Sequence, residues 1–207
     1  MTSSSKPRRQ RPLIRTQVIS TQWLTPRMVR VVVGGEGLRS YVHNDFTDRY
    51  VKLVFLRPGV TYPEPLDLTL MRALPPEERP IARTYTVRSY DPERRRLAFD
   101  FVVHADHGDE GVAAAWASRA EPGDELLFAG PGPGGAYTPD PGADWHLFAG
   151  DESAIPAIGA ALEQLAAGVP AYVFLEVENA AEEQELPTDA KVEFSWFHRS
   201  TSPRPPG

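Results

Sequence analysis

The hexamer Arg83-Thr84-Tyr85-Thr86-Val87-Arg88 concentrates chemistry in one short β-type run. On a strand, alternate side chains share a face. Arg83, Tyr85 and Val87 then point one way, and Thr84, Thr86 and Arg88 the other. Such a strand offers a forked guanidinium for a phosphate, an aromatic face for a planar ring, and hydroxyls for ring nitrogens. Its plain alternative is a strand in which Tyr and Thr are simply good β-formers. A second candidate is Gly111-Val112-Ala113, at the start of the alanine-rich stretch Gly111 to Arg119, which predicts a helix. A helix start presents free N–H groups and partial positive charge, as a pyrophosphate requires, and Gly111 would let a phosphate approach the backbone. Asp109 and Glu110, just before it, suit an ordinary helix N-terminus and count against an anion there. A third candidate is the turn Gly150-Asp151-Glu152-Ser153. There Ser153 reads as the N-cap of a helix over 154–167, with Pro156 in its first turn and Gly168 as its stop.

Composition narrows what these groups can do. The 207 residues include no cysteine, so thiolate metal sites, cysteine-ligated clusters and catalytic thiols are excluded. No apolar run approaches the roughly 20 residues of a membrane span. With 28 acidic against 22 basic residues the net charge is -6, which argues against a nucleic-acid partner. Arg8-Arg9-Gln10-Arg11 resembles a twin-arginine start, but Pro12-Leu13-Ile14-Arg15 is not the apolar stretch an export signal needs. Residues 1–12 read as a disordered tail, and the expected location is the cytoplasm. The histidines and carboxylates show no ligand spacing, so no protein metal site is expected.

The elements that must position these groups fall into two units. Leu13 to Ser20, Met28 to Val33, Tyr50 to Leu56, Arg83 to Ser89, Arg96 to His104 and Glu125 to Ala129 read as six short strands. The fourth and fifth are expected to form a hairpin, and the proline-rich stretch 57–80 reads as loop. Six such strands predict an antiparallel barrel over residues 13–140, with one inserted helix. After the Gly/Pro-rich linker Pro131 to Pro141, the runs Trp145 to Ala149, Ala171 to Val177 and Val192 to Phe197 read as buried parallel strands around one helix. The fold class is therefore β + α/β, a six-stranded antiparallel barrel followed over 141–207 by a partial parallel α/β unit. Trp116, Trp145, Trp196, Tyr172 and Phe174 are expected in the core, and the acidic run Glu178 to Glu185 on the surface.

Taken in order, RTYTVR, DFVVH (Asp100 to His104), GVAAAWA, PGDEL, the Gly130-Pro131-Gly132 turn and AGDESAIPAI resemble the siderophore-interacting proteins. These are FAD-dependent ferric-siderophore reductases of the ferredoxin-reductase-like superfamily. The resemblance runs from about Ile14 to His198, and the combination of motifs is more specific than the RxYT pattern alone. It implies a flavin-binding barrel and an NAD(P)H-domain-like unit. It implies that Arg83 meets FAD phosphate, Tyr85 the flavin ring and Thr86 its redox edge, with Thr84 and Arg88 in the same cofactor motif. Asp100, Val102 and His104 would line the cofactor. Gly111, Val112 and Ala113 would start the phosphate-binding helix, with Val112 where the family more often has Pro. Asp151, Glu152 and Ser153 would face the flavin. Lys52 and Arg57 are candidates for an anionic ferric siderophore, against an ordinary surface role.

The implied chemistry is redox and belongs to FAD, with no catalytic side chain. NADPH, NADH or a separate ferredoxin would be the electron donor. Typical members continue beyond the third α/β strand, so this chain reads as a fragment or as a short form with a weakened donor site. Two other functions remain open at this point. One is a flavin reductase or related oxidoreductase with a different acceptor. The other is a non-catalytic flavin- or siderophore-binding module.

Overall fold

A computed structural model describes residues 10–103, 111–132 and 136–200. Its larger sheet is built from β1 (Ile14–Thr25), β2 (Met28–Gly34), β3 (Tyr50–Phe55), β4 (Ile81–Thr86), β5 (Ser89–Asp91), β6 (Arg96–Val102) and β7 (Glu125–Ala129). The strand order is β4-β3-β7-β1-β2-β6-β5, with every pairing antiparallel. The end strands β4 and β5 are consecutive in the chain. The residues between them tie the ends together, since Val87 N donates to Arg49 O and Arg88 N to Ala98 O. Val31, Val33, Leu53, Leu97, Phe99, Phe101 and Phe128 fill the interior, each with almost no exposure. Each such side chain stabilises the fold by about 2 kcal/mol.

This sheet has seven strands rather than the expected six. The hairpin partner of β6 is the three-residue β5, while Arg83 to Thr86 pairs instead with β3. The stretch 57–80 is also not all loop. It contains the short helix α1 (Leu68–Met71), whose first N–H groups are capped by Asp67 Oδ1, which accepts from Thr69 N at 2.7 Å and Leu70 N at 3.2 Å. Leu66, Leu68 and Met71 bury against Val54, Leu127 and Ala129, covering the outer side of β3 and β7.

The second unit contains β8 (His146–Asp151), α3 (Ile155–Leu162), β9 (Pro170–Val177) and β10 (Lys191–His198), in a parallel sheet of order β10-β9-β8. Ile155, Ile158 and Leu162 of α3 pack on Val173 and Leu175 of β9. Among the described residues, α3 covers one face of that sheet. Trp145, Tyr172 and Phe174, expected in the core, are exposed on the other face, with Trp145 54% accessible. β9 alternates strictly, so its apolar run is half buried rather than buried on both sides. Trp116 and Trp196 do pack against core clusters.

The helices are shorter than expected. α2 (Val112–Ala117) has six residues, and α3 ends at Leu162. Pro156 sits in the first turn of α3, where its missing N–H costs nothing. Ser153 is not the cap. Ala154 holds that position without a side-chain bond, because the Ser153 hydroxyl donates to Asp151 Oδ1 at 2.6 Å.

The two units share a packed seam. Met28, Leu24 and Val102 of the large sheet pack with Phe148, Ile155 and Leu162. The linker is pinned as well, with Thr47 N donating to Tyr137 O at 2.9 Å and Tyr137 N to Asp48 Oδ1 at 3.0 Å.

Candidate functional site

β4 places the RxYT residues on two sides of the large sheet. Arg83 and Tyr85 stand opposite the buried Leu53 and Val51, while Thr84 stands opposite Lys52. Thr84 is exposed, and its hydroxyl bonds Lys52 Nζ. Arg83 is half-buried and donates to Ala82 O at 3.1 Å. The Tyr85 ring lies 4.5 Å from that of Phe101, whose ring is 5.7 Å from Trp116 on α2. Trp116 lies 6.0 Å from Phe55. This aromatic run links β4, β6 and β3 to Trp116 in the last turn of α2, the helix that opens with Gly111, Val112 and Ala113. Gly111 at the head of α2 makes no side-chain cap bond. Burial raises the Tyr85 phenol to about 12, so its ring stays neutral at any working pH.

Other residues of the hexamer and of β6 serve the seam between the units. Val87 is wholly buried in the interior, and Thr86 faces Tyr50 across β3. The Arg88 side chain is 5% exposed. It pairs with Glu163 at the end of α3 and stands 3.9 Å from Asp100. Asp100 is 1% exposed and receives two 2.7 Å bonds from Arg30. Val102 packs into the shared apolar cluster. Arg88, Asp100 and Val102 thus meet on the β6 face that looks toward α3. His104 lies outside the described residues.

The turn 151–153 sits at the carboxyl end of β8, the end at which open α/β sheets bind their ligands. Asp151 Oδ1 accepts from Ser153 Oγ and from Ser153 N at 2.9 Å, and these bonds hold its carboxyl below the usual range. Glu152 is buried. Burial pushes its carboxyl up, but Arg199 outweighs that and the net direction is down. The same pair drives the Arg199 guanidinium well above its ordinary value.

Lys52 and Arg57 do not converge. Lys52 lies within β3, with its ammonium 5.8 Å from the centre of the Tyr50 ring. Arg57 lies beyond the far end of β3, where Nε donates to Arg79 O at 2.8 Å and its backbone N donates to Tyr62 Oη.

Arg27, Arg199 and Glu182 escaped the sequence reading. Glu182, within the run expected on the surface, is 2% exposed. It accepts from Thr25 Oγ1 at 2.6 Å and Arg27 N at 3.1 Å. Its partners lie some 155 residues away, beyond the reach of any local pattern.

Residues 17–136 match the siderophore-interacting FAD-binding domain, and residues 143–206 match the siderophore-interacting protein model. The chain is 47% identical over 192 residues to an uncharacterised protein of Mycobacterium tuberculosis, covering 91% of this chain and 66% of that one. It is 31% identical over 194 residues to the ferric vibriobactin reductase of Vibrio cholerae, covering 91% and 67%. It is 36% identical over 148 residues to the NADPH-dependent ferric-chelate reductase of Escherichia coli, covering 72% and 55%. A siderophore utilisation protein from T. fusca superposes with a TM-score of 0.75 at 35% identity, covering 94% and 73%. The chain thus spans about two thirds, or less, of the length of the curated relatives it matches. Among the described residues, no helix is long and apolar enough to cross a membrane. This chain belongs to the siderophore-interacting protein family, and its large sheet with α2 is that family's FAD-binding domain.

Proposed function

We propose that this chain is the flavin-carrying part of a cytoplasmic ferric-siderophore reductase. The observation that carries the reading is the aromatic packing of Tyr85 on Phe101 and, through Phe101, on Trp116 of α2. The buried Phe101 backs the Tyr85 ring, which offers an aromatic face for a planar ring, and the first turn of α2 offers backbone N–H groups for a phosphate. When bound there, FAD supplies the redox chemistry, taking two electrons from a donor and giving one to each of two Fe(III) ions.

The chain's own residues bind and orient. In this reading Arg83 holds a phosphate by its guanidinium, with Gly111, Val112 and Ala113 adding backbone donors. Tyr85 covers one face of the ring, and Thr84 and Thr86 offer hydroxyls at its edge. Asp100, Val102 and Arg88 keep β6 in register with α3, and Asp151, Glu152 and Ser153 close the cleft from the second unit. Lys52 contributes positive charge toward an anionic siderophore, and Arg57 adds a second, more distant cation. Hard oxygen ligands hold Fe(III) far more tightly than Fe(II), so reduction releases the metal. The donor is a nicotinamide cofactor. NADPH is favoured by the name of the Escherichia coli relative, with NADH and reduced ferredoxin as the alternatives to be compared.

The test is reconstitution. Apoprotein titrated with FAD should quench the flavin fluorescence at one FAD per chain and gain a visible absorbance that survives gel filtration. Protein that stays colourless after the same treatment would overturn the reading.

A further inference from the structure

One connected set of ion pairs runs from the second unit to the large sheet across the seam. Glu152 receives both terminal nitrogens of Arg199, Nη1 to Oε2 at 2.9 Å and Nη2 to Oε1. Its Oε1 also accepts from Glu178 N at 2.9 Å. Arg199 reaches Glu176 at 3.4 Å and Glu178 at 3.6 Å. A single guanidinium therefore joins the carboxyl ends of β8, β9 and β10. Glu178 carries the connection onward, since its Oε2 lies 3.2 Å from Arg27 Nη1. Arg27 belongs to the β1–β2 turn of the large sheet. That turn is anchored again by Glu182, and Arg27 O accepts from Val103 N at 2.7 Å, fixing the end of β6.

The run therefore touches two segments that flank the proposed flavin cleft. At one end is the turn 151–153, and at the other is the end of β6. We propose that Arg27, Glu178, Arg199 and Glu152 form a positioning clamp that sets the separation of these segments. The inference rests on the flavin reading for its purpose and on the ion pairs for its existence. Arg199 is the centre. Removing it leaves the buried Glu152 carboxylate unpaired among Glu176, Glu178 and Asp151, so the turn must move to rehydrate that charge. Arg199 is 34% exposed, which reduces the effect below that of a wholly buried pair.

The test measures backbone hydrogen exchange and FAD affinity in Arg199→Met, Arg199→Lys and Leu165→Ala. Leu165→Ala opens a cavity in the core of the same unit without touching the ion pairs, and so controls for lost stability. In Arg199→Met, amides of Ser153, Ala154 and Glu178 should exchange about tenfold faster, with Val31 of the large sheet unchanged. FAD binding should weaken by a similar factor, with an altered visible circular dichroism of any flavin still bound. Arg199→Lys should restore part of both, because it keeps the charge and loses the fork. Unchanged exchange at 153, 154 and 178 in Arg199→Met overturns the clamp. So does an equal increase in Leu165→Ala at the same lost stability. Wild-type protein that binds no FAD would overturn the flavin reading instead, and the exchange measurement, made without flavin, would still decide the clamp.

Discussion

The ring of Tyr85 on β4 lies 4.5 Å from the ring of Phe101 on β6, tilted by 37°. The pair joins strands that are not neighbours in the sheet order, and it fixes one wall of the proposed flavin site. Tyr85→Leu removes the aromatic face and should weaken FAD binding about tenfold. Tyr85→Phe, which keeps the ring, should leave it within about twofold. Flavin fluorescence quenching reads both.

Arg88 and Asp100 are buried charges at the seam between the units. Replacing Arg88 by Met leaves Asp100 with only Arg30 and frees Glu163. The variant should lose about 3 kcal/mol of stability in urea unfolding. Asp100→Asn should cost a similar amount. The double variant should lose less than the sum, because both act on one network.

Gly150 stands where a side chain cannot. A Cβ there would lie 2.4 Å from the Cβ of Ala154, at the foot of α3. Gly150→Ala should therefore displace the turn 151–153 and lower stability by about 2 kcal/mol. Thermal melting measures the loss, and reduced FAD affinity should accompany it.

His43, Asp151 and Glu152 make stability depend on pH in two separate windows. His43 is pushed below its ordinary 6.5 by burial and then by the nearby Arg49. The unfolded chain then binds the proton more readily, so stability falls as pH drops below about 6.5. His43→Gln should flatten that limb of the stability profile. Asp151 and Glu152 are held below their ordinary 3.8 and 4.5, so their contribution is full above 4.5 and is lost only as pH falls through the lower folded values. Glu152→Gln should remove part of that second limb and leave the first intact. Denaturant titrations between pH 7 and pH 3 separate the two.

The sequence was most legible where a pattern is local. Short apolar runs in Arg96 to Val102 and Glu125 to Ala129 mark β6 and β7, and the change of pattern after the Gly/Pro-rich linker marks the parallel unit. β5 escaped because three residues hold too little periodicity, and its loss misassigned the partner of β6. Ser153 was misread as a cap because Asp151, two residues earlier, takes its hydroxyl. Trp145, Tyr172 and Phe174 were misplaced because apolarity alone does not say which sheet face a helix covers. The cofactor motifs were visible as residue types. The seam residues Arg199, Arg27 and Glu182 were not, because each acts through partners tens to more than a hundred residues away.

The central claim is electron transfer from flavin to siderophore-bound iron. Its most direct measurement is anaerobic. FAD-loaded protein is reduced with NADPH, NADH or reduced ferredoxin in parallel, freed of excess donor, and mixed with a ferric siderophore in the presence of a ferrous chelator. The account predicts that the flavin absorbance returns as two ferrous chelates form per FAD. A flavin that stays reduced with the ferric siderophore, yet is reoxidised by ferricyanide, would contradict it.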